Sequence, residues 1–142
     1  MVTYMALKIY TAGPMTGYPQ FNFPAFQEAA DTLRAQGIDV VSPHELDDPE
    51  TSALALKSKT GTLGDASPHG QTWGDFLARD VKIVADQVDG IAVLHNWERS
   101  KGAKLEVTVA LLAGKDIYQY HTGAGLTPLS REWVKEVLFA NL

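Results

Sequence analysis

The chain contains no cysteine, which excludes disulfides and thiolate metal sites and leaves the redox compartment open. Its four histidines, His44, His69, His95 and His121, lack zinc-ligand spacing, so neither a metal nor a cofactor is expected. No run approaches the roughly 18 apolar residues of a membrane span. The start of the chain lacks a basic segment followed by an apolar core. The expectation is a cytoplasmic protein with no membrane partner, in which residues 1–5 are a loose leader. Clustered Lys and Arg are missing too, and the formal net charge is −5. A nucleic-acid polymer is therefore a poor partner, whereas a small anionic ligand is not. Neither the Gly-x-Gly-x-x-Gly fingerprint nor the Walker pattern occurs, which disfavours dinucleotides and nucleoside triphosphates.

What is present fits one compact domain over residues 1–142, long enough for one core and too short for two. Residues 7–12 read as a strand ending in the turn 13–17. Residues 23–36 carry Phe26, Ala29, Ala30 and Leu33 on one helical stripe, and Gly37 stops them. A short strand at 39–41 closes at Pro43. Residues 47–71 are polar and show no clear period, so they are expected to form a long loop or lid. Helical spacing returns over 73–85 through Trp73, Phe76, Leu77, Val81 and Val84. A buried strand at 90–94, a helix at about 101–113, a strand at 116–120 and a last helix capped by Ser130 follow. This alternation predicts an α/β fold, an open parallel sheet of four to five strands flanked by helices, with ligands gathering beyond the carboxyl ends of the strands.

Several residues should collect at that edge. Tyr10 and the Gly13–Gly17 turn follow the first strand, and His44 and Glu45 follow the second. His95 to Gly102 follow the third, and Glu106 lies one turn inside the next helix. A carboxylate there faces the same crevice as the free N–H groups of the helix N-terminus, which would hold its pKa low. Asp80 shares a helix with an apolar stripe, so desolvation should raise its pKa and make it a proton donor. Ser100 reads equally as a helix cap and as a phosphate contact, and the two are compatible. Asp89 reads as a turn residue before a buried strand. Of the tryptophans, Trp73 is expected at the core or rim, and Trp97 as a base or sugar contact.

The segments Ile9-Tyr10-Thr11-Ala12-Gly13, Leu77-Ala78-Arg79-Asp80, Asp89-Gly90-Ile91-Ala92-Val93 and Ser100-Lys101-Gly102-Ala103-Lys104-Leu105-Glu106 resemble the nucleoside 2-deoxyribosyltransferase superfamily. That superfamily includes base-exchanging transferases and 2'-deoxynucleoside 5'-monophosphate N-glycosidases. The Ala12-Gly13-Pro14-Met15 opening resembles a branch of short bacterial and phage proteins. The resemblance implies a Rossmann-like or flavodoxin-like sheet and a homodimer or higher homo-oligomer. It implies Glu106 as the nucleophile at the anomeric carbon, Asp80 as the acid at the leaving base, and Tyr10 as the residue holding nucleophile and sugar. It further implies Ser100 at a 5'-phosphate, with Ser130 reaching that phosphate from a neighbouring subunit. Gly13, Met15 and Gly102 complete the expected binding set. Around the nucleophile only Gly102 of the superfamily's glycines is kept, and Leu105-Glu106-Val107-Thr108 replaces the rest.

The chemistry points the same way. Cleaving an N-glycosidic bond builds positive charge on the sugar carbon and negative charge on the base, so one carboxylate should lie beneath the sugar and an acid should meet the base. Three functions follow as expectations: hydrolysis of a nucleoside 5'-monophosphate, base exchange, or nucleotide sensing without turnover.

Overall fold

The computed structural model describes residues 7–140. The leader expected at residues 1–5 lies outside the described residues. In chain order the elements are β1 (Lys8–Ala12), α1 (Phe23–Ala35), β2 (Asp39–Val41), α2 (Pro49–Lys57), α3 (Trp73–Asp86), β3 (Gly90–Val93), α4 (Lys101–Leu112), β4 (Asp116–His121), β5 (Gly125–Pro128) and α5 (Arg131–Phe139). The strands form one sheet in the order β2-β1-β3-β4-β5. The first four are parallel, with Tyr10 opposite Val41 on one side and Ile91 on the other, and β5 runs antiparallel to β4. This is the flavodoxin-like order, whose crevice opens where the strand order reverses, between β1 and β3.

Side chains alternate across the sheet, and the alternation divides the core. Tyr10, Ala12, Ile91, Val93 and Ile117 point to the face covered by α3, α4 and α5, where they meet Val84, Val107 and Val134. Ile9, Ala92, Leu94 and Tyr120 point to the opposite face and pack on Phe26, Ala29, Ala30 and Leu33 of α1. Every residue of β3 is buried, as a strand covered on both faces requires. Gly37, at φ +84°, ends α1 in the left-handed conformation that favours glycine. Among the described residues no helix is long and apolar enough to cross a membrane.

Two features correct the sequence reading. The segment 47–71 is not a structureless loop: it holds α2 and a 3-10 turn at Leu63–Ala66. The Asp48 carboxylate accepts from the Thr51 N–H at 2.8 Å and caps α2, and Pro49 occupies its first turn. Only Thr51 and Ala55 of α2 are buried, so the helix leaves no apolar stripe to be read. The edge strand β5 also escapes the pattern, since Gly-Leu-Thr-Pro buries only Gly125 fully and ends in a proline.

The α2 segment forms a cover that is tied down at its far end. The Gly17 N–H donates to the Gly61 carbonyl at 2.9 Å and the Gln20 N–H to the Ser58 carbonyl at 2.7 Å. Beneath it Phe21, Phe23, Ala55 and Ala66 make a third apolar cluster. Gln20, Phe21 and Asn22 adopt φ of 56°, 50° and 60° in succession. Each left-handed non-glycine residue costs roughly 1–2 kcal/mol. Burial of Phe21 and the hydrogen bond from Asn22 Nδ2 to the Pro14 carbonyl, 2.9 Å, offset that cost.

Gly61 combines φ +68° with backbone so close that a Cβ would collide with the Tyr18 carbonyl oxygen. Gly61→Ala is therefore expected to destabilise the cover by about 2 kcal/mol or more. Hydrogen exchange of the α2 amides, faster in the variant while the β3 amides are unchanged, checks this.

Candidate functional site

A cavity of about 540 Å³ opens beyond the carboxyl ends of β1 and β3, under the α2 cover. Two buried carboxylates, Asp80 and Glu106, line it, and Tyr10, hydrogen-bonded to Glu106, lies behind the lining. Tyr10 comes from β1, where it is the third strand residue rather than one following the strand, and is fully buried. Glu106 comes from the second turn of α4 and Asp80 from the middle of α3, and both are buried. Period-2 alternation sends Tyr10 to the α3/α4 face, and packing of α3 on α4 brings the two carboxylates to it.

The Tyr10 hydroxyl donates a hydrogen bond to Glu106 Oε2 and also interacts with Asp80, where it favours the ionised form. Arg79 supplies the compensating charge: its Nε donates to Asp80 at 2.9 Å and its Nη1 to Asp47 at 2.7 Å. Burial raises the Asp80 pKa, Arg79 and Tyr10 pull it down, and the Asp47 charge adds to the rise.

For Glu106 the expected direction is reversed. Its pKa is pushed up to about 8, first by burial and then by the Asp80 charge, against the Tyr10 hydrogen bond and Arg79. The α4 dipole does not hold this carboxyl low, because loss of water outweighs a fractional helix charge at a site this deep. Burial, followed by the Glu106 charge, likewise pushes the Tyr10 phenol well above its usual range. Burial and the Asp80 charge thus favour the protonated form of Glu106 at neutral pH.

The walls include the N-terminus of α4, where Ser100 Oγ accepts from the Ala103 N–H at 3.1 Å. Arg99, Lys101 and Gly102 line the cavity beside it. Met15, Tyr18, Phe21, Phe23 and Phe76 also line it, and Trp73 stands at the α4 N-terminus, its indole nitrogen beside Gly102. The lining thus combines cationic and hydrogen-bonding groups, apolar and aromatic side chains, and two carboxylates.

The structure brings together Tyr10, Asp80, Glu106, Gly13, Met15, Ser100 and Gly102. It does not bring Trp97 there. That side chain is 2% exposed, packs in the core and stacks edge-on with Trp133 at 6.4 Å. Trp73 is the tryptophan at the cavity, 44% exposed at its rim. Ser130 caps α5 by accepting from the Trp133 N–H at 3.0 Å and does not line this cavity.

His44 is buried on the other face of the sheet, between Ser42 Oγ at 2.7 Å and Gln27 Oε1 at 2.9 Å, and burial lowers its pKa. Glu45 is paired with Arg34, and Asp89 accepts from the Lys8 N–H at 2.9 Å. A second hollow of about 590 Å³, between His95, Gln119 and Trp133, holds no buried carboxylate.

Asp47 and Arg79 were not singled out by sequence reasoning. The adjacent charges of Arg79 and Asp80 on an apolar helix were the available signal; Asp47 gave none, lying in a segment without period.

Comparison with known proteins places the chain in a family. The family described as "Domain of unknown function (DUF4406)" matches residues 7–119, and the chain belongs to it. No curated protein matches the chain significantly.

The buried Glu106 makes stability depend on pH in a set direction. Its folded pKa of about 8 lies above the unfolded 4.5, so the folded state holds the extra proton between these values. The Glu106 contribution to stability is full below about 4.5 and is lost as pH rises through 8. Glu106→Gln should remove this slope, gaining a few kcal/mol over the parent at pH 9 and little at pH 4.5. Denaturant titrations at the two pH values check it.

Proposed function

We propose that this member of the DUF4406 family cleaves the N-glycosidic bond of a deoxynucleoside 5'-monophosphate, with Glu106 as nucleophile and water as the final acceptor. The observation that carries the reading is the Tyr10–Glu106 hydrogen bond, buried beside Asp80 at the cavity lining. The resemblance of the Tyr10, Asp80 and Glu106 segments to the nucleoside 2-deoxyribosyltransferase superfamily supports the same roles.

In this reading the 5'-phosphate lies at the α4 N-terminus, held by free backbone N–H groups, Ser100, Arg99 and Lys101. The base lies against the aromatic side chains of the lining away from α4, with Phe76 offering a stacking face. The sugar is then placed over Glu106. Ser130 takes part only if a second copy presents α5 to the cavity.

The two carboxyls hold one proton between them. Tyr10, hydrogen-bonded to Glu106 and near enough to Asp80 to favour its ionised form, relays it by turning its hydroxyl from one to the other. Transfer from Glu106 to Asp80 leaves an ionised nucleophile and a loaded acid. An oxygen of Glu106 then bonds to the anomeric carbon as the carbon–nitrogen bond breaks. The electron pair of that bond goes to the base, which takes the proton of Asp80. Water attacks the sugar ester, returns a proton to the pair and releases Glu106 as a carboxylate. Replacing water with a second base at this step would give base exchange.

A panel of deoxynucleosides and their 5'-monophosphates, with and without a free second base, tests the reading by chromatography of released base. Release is expected from monophosphates without a second base, and Glu106→Ala should abolish it. The rate should fall as pH rises through about 8, where the last proton of the pair is lost. Release that survives Glu106→Ala contradicts the mechanism, exchange requiring a second base makes the protein a transferase, and silence across the panel leaves a nucleotide-binding module.

A further inference from the structure

Arg79 divides its guanidinium between two acids with different positions in the fold. Nε faces Asp80 on its own helix at 2.9 Å and Nη1 faces Asp47 at 2.7 Å. Nη2 reaches the Pro43 carbonyl at 3.4 Å, and the guanidinium lies 5.5 Å from the centre of the Phe76 ring. Asp47 immediately precedes Asp48, the cap of α2, and so marks the point where the cover leaves the sheet. Its side chain is only 9% exposed. This is a largely buried pair, in which removal of one partner leaves an uncompensated charge.

We propose that Asp47 is a positioning residue that couples the seating of the α2 cover to the protonation of Asp80, through the Arg79 guanidinium the two carboxylates share. The inference rests on the reading that Asp80 protonates the leaving base. With the cover seated, Asp47 draws part of the Arg79 charge to itself and adds a negative charge near Asp80. Both effects favour a proton on Asp80. With the cover lifted, Arg79 is free to serve Asp80 alone and stabilises its carboxylate. The acid is thus loaded when the cavity is closed and disarmed when it is open to water.

The groups facing Asp80 are Arg79 on α3, Asp47 from the connection before α2, Tyr10 on β1 and Glu106 on α4. Of these, Asp47 belongs to the connection that leads into the cover. The cover itself contributes Thr51, Ala55, Leu63 and Ala66 to the cavity wall. Its displacement would therefore open the base end of the site and release the guanidinium together.

The test is a carbon-13 NMR titration of the Asp80 carboxyl in the intact protein and in Asp47→Asn, with hydrogen exchange of the α2 amides measured on the same samples. In Asp47→Asn the Asp80 midpoint should fall by about one pH unit and α2 exchange should quicken. Asp47→Glu should restore both. If the parent protein releases base, kcat/KM should fall about tenfold in Asp47→Asn. The alkaline limb of its pH profile, where the acid loses its proton, should move to lower pH. An unchanged Asp80 midpoint, or a loosened α2 with no change at Asp80, overturns the coupling. A parent that releases no base defeats the proposed reaction, while the titration still decides whether cover and acid are linked.

Discussion

The hydrogen bond from Tyr10 to Glu106 is the constraint around which the site is arranged. It joins β1 to α4 between two buried groups, and Asp80 stands close enough to raise the Glu106 pKa further. Of the two buried carboxylates only Asp80 is paired with Arg79, so both cannot be ionised without a large cost and one keeps a proton. The polar cluster therefore holds a proton beside a reactive oxygen, which is the combination that glycosidic cleavage uses. As a purely structural device it would be poor, since apolar residues of similar volume would stabilise the core better.

The rest of the fold serves to keep that cluster buried yet reachable. Strand order sets the crevice between β1 and β3, and α3 and α4 deliver one carboxylate each to the same face as Tyr10. The cover is moored to the strained 17–22 turn by backbone hydrogen bonds at one end and to Arg79 through Asp47 at the other. Desolvation, which moves the pKa values, and access, which lets a ligand in, are thus controlled by the same segment.

Much of this was legible in the sequence because it is written in periodicity. The continuous apolar run at residues 90–94 and the 26/29/30/33 stripe of α1 identify buried strand and covering helix. The Tyr10, Asp80 and Glu106 segments carry enough pattern to single out three groups that meet in space. What could not be read depends on contacts made at a distance. The small residues of α2 leave no stripe, and the nine-residue helix depends on packing beneath it. Trp73 opens α3 at the cavity rim, within the core-or-rim expectation, whereas Trp97 leaves its expected place because it turns inward behind the left-handed Asn96. The direction of the Glu106 pKa was misjudged because sequence places it near a helix N-terminus but does not reveal its burial.

The central claim is that Glu106 forms a covalent bond to the sugar. The most direct measurement is mass spectrometry of the protein quenched in acid during incubation with a deoxynucleoside monophosphate carrying a 2'-fluorine, which slows the second step by destabilising the cationic transition state. The account predicts a mass increase equal to the fluorinated sugar phosphate, located on the peptide containing Glu106 and absent in Glu106→Gln. Release of base with the protein mass unchanged, or an adduct on another residue, would contradict it.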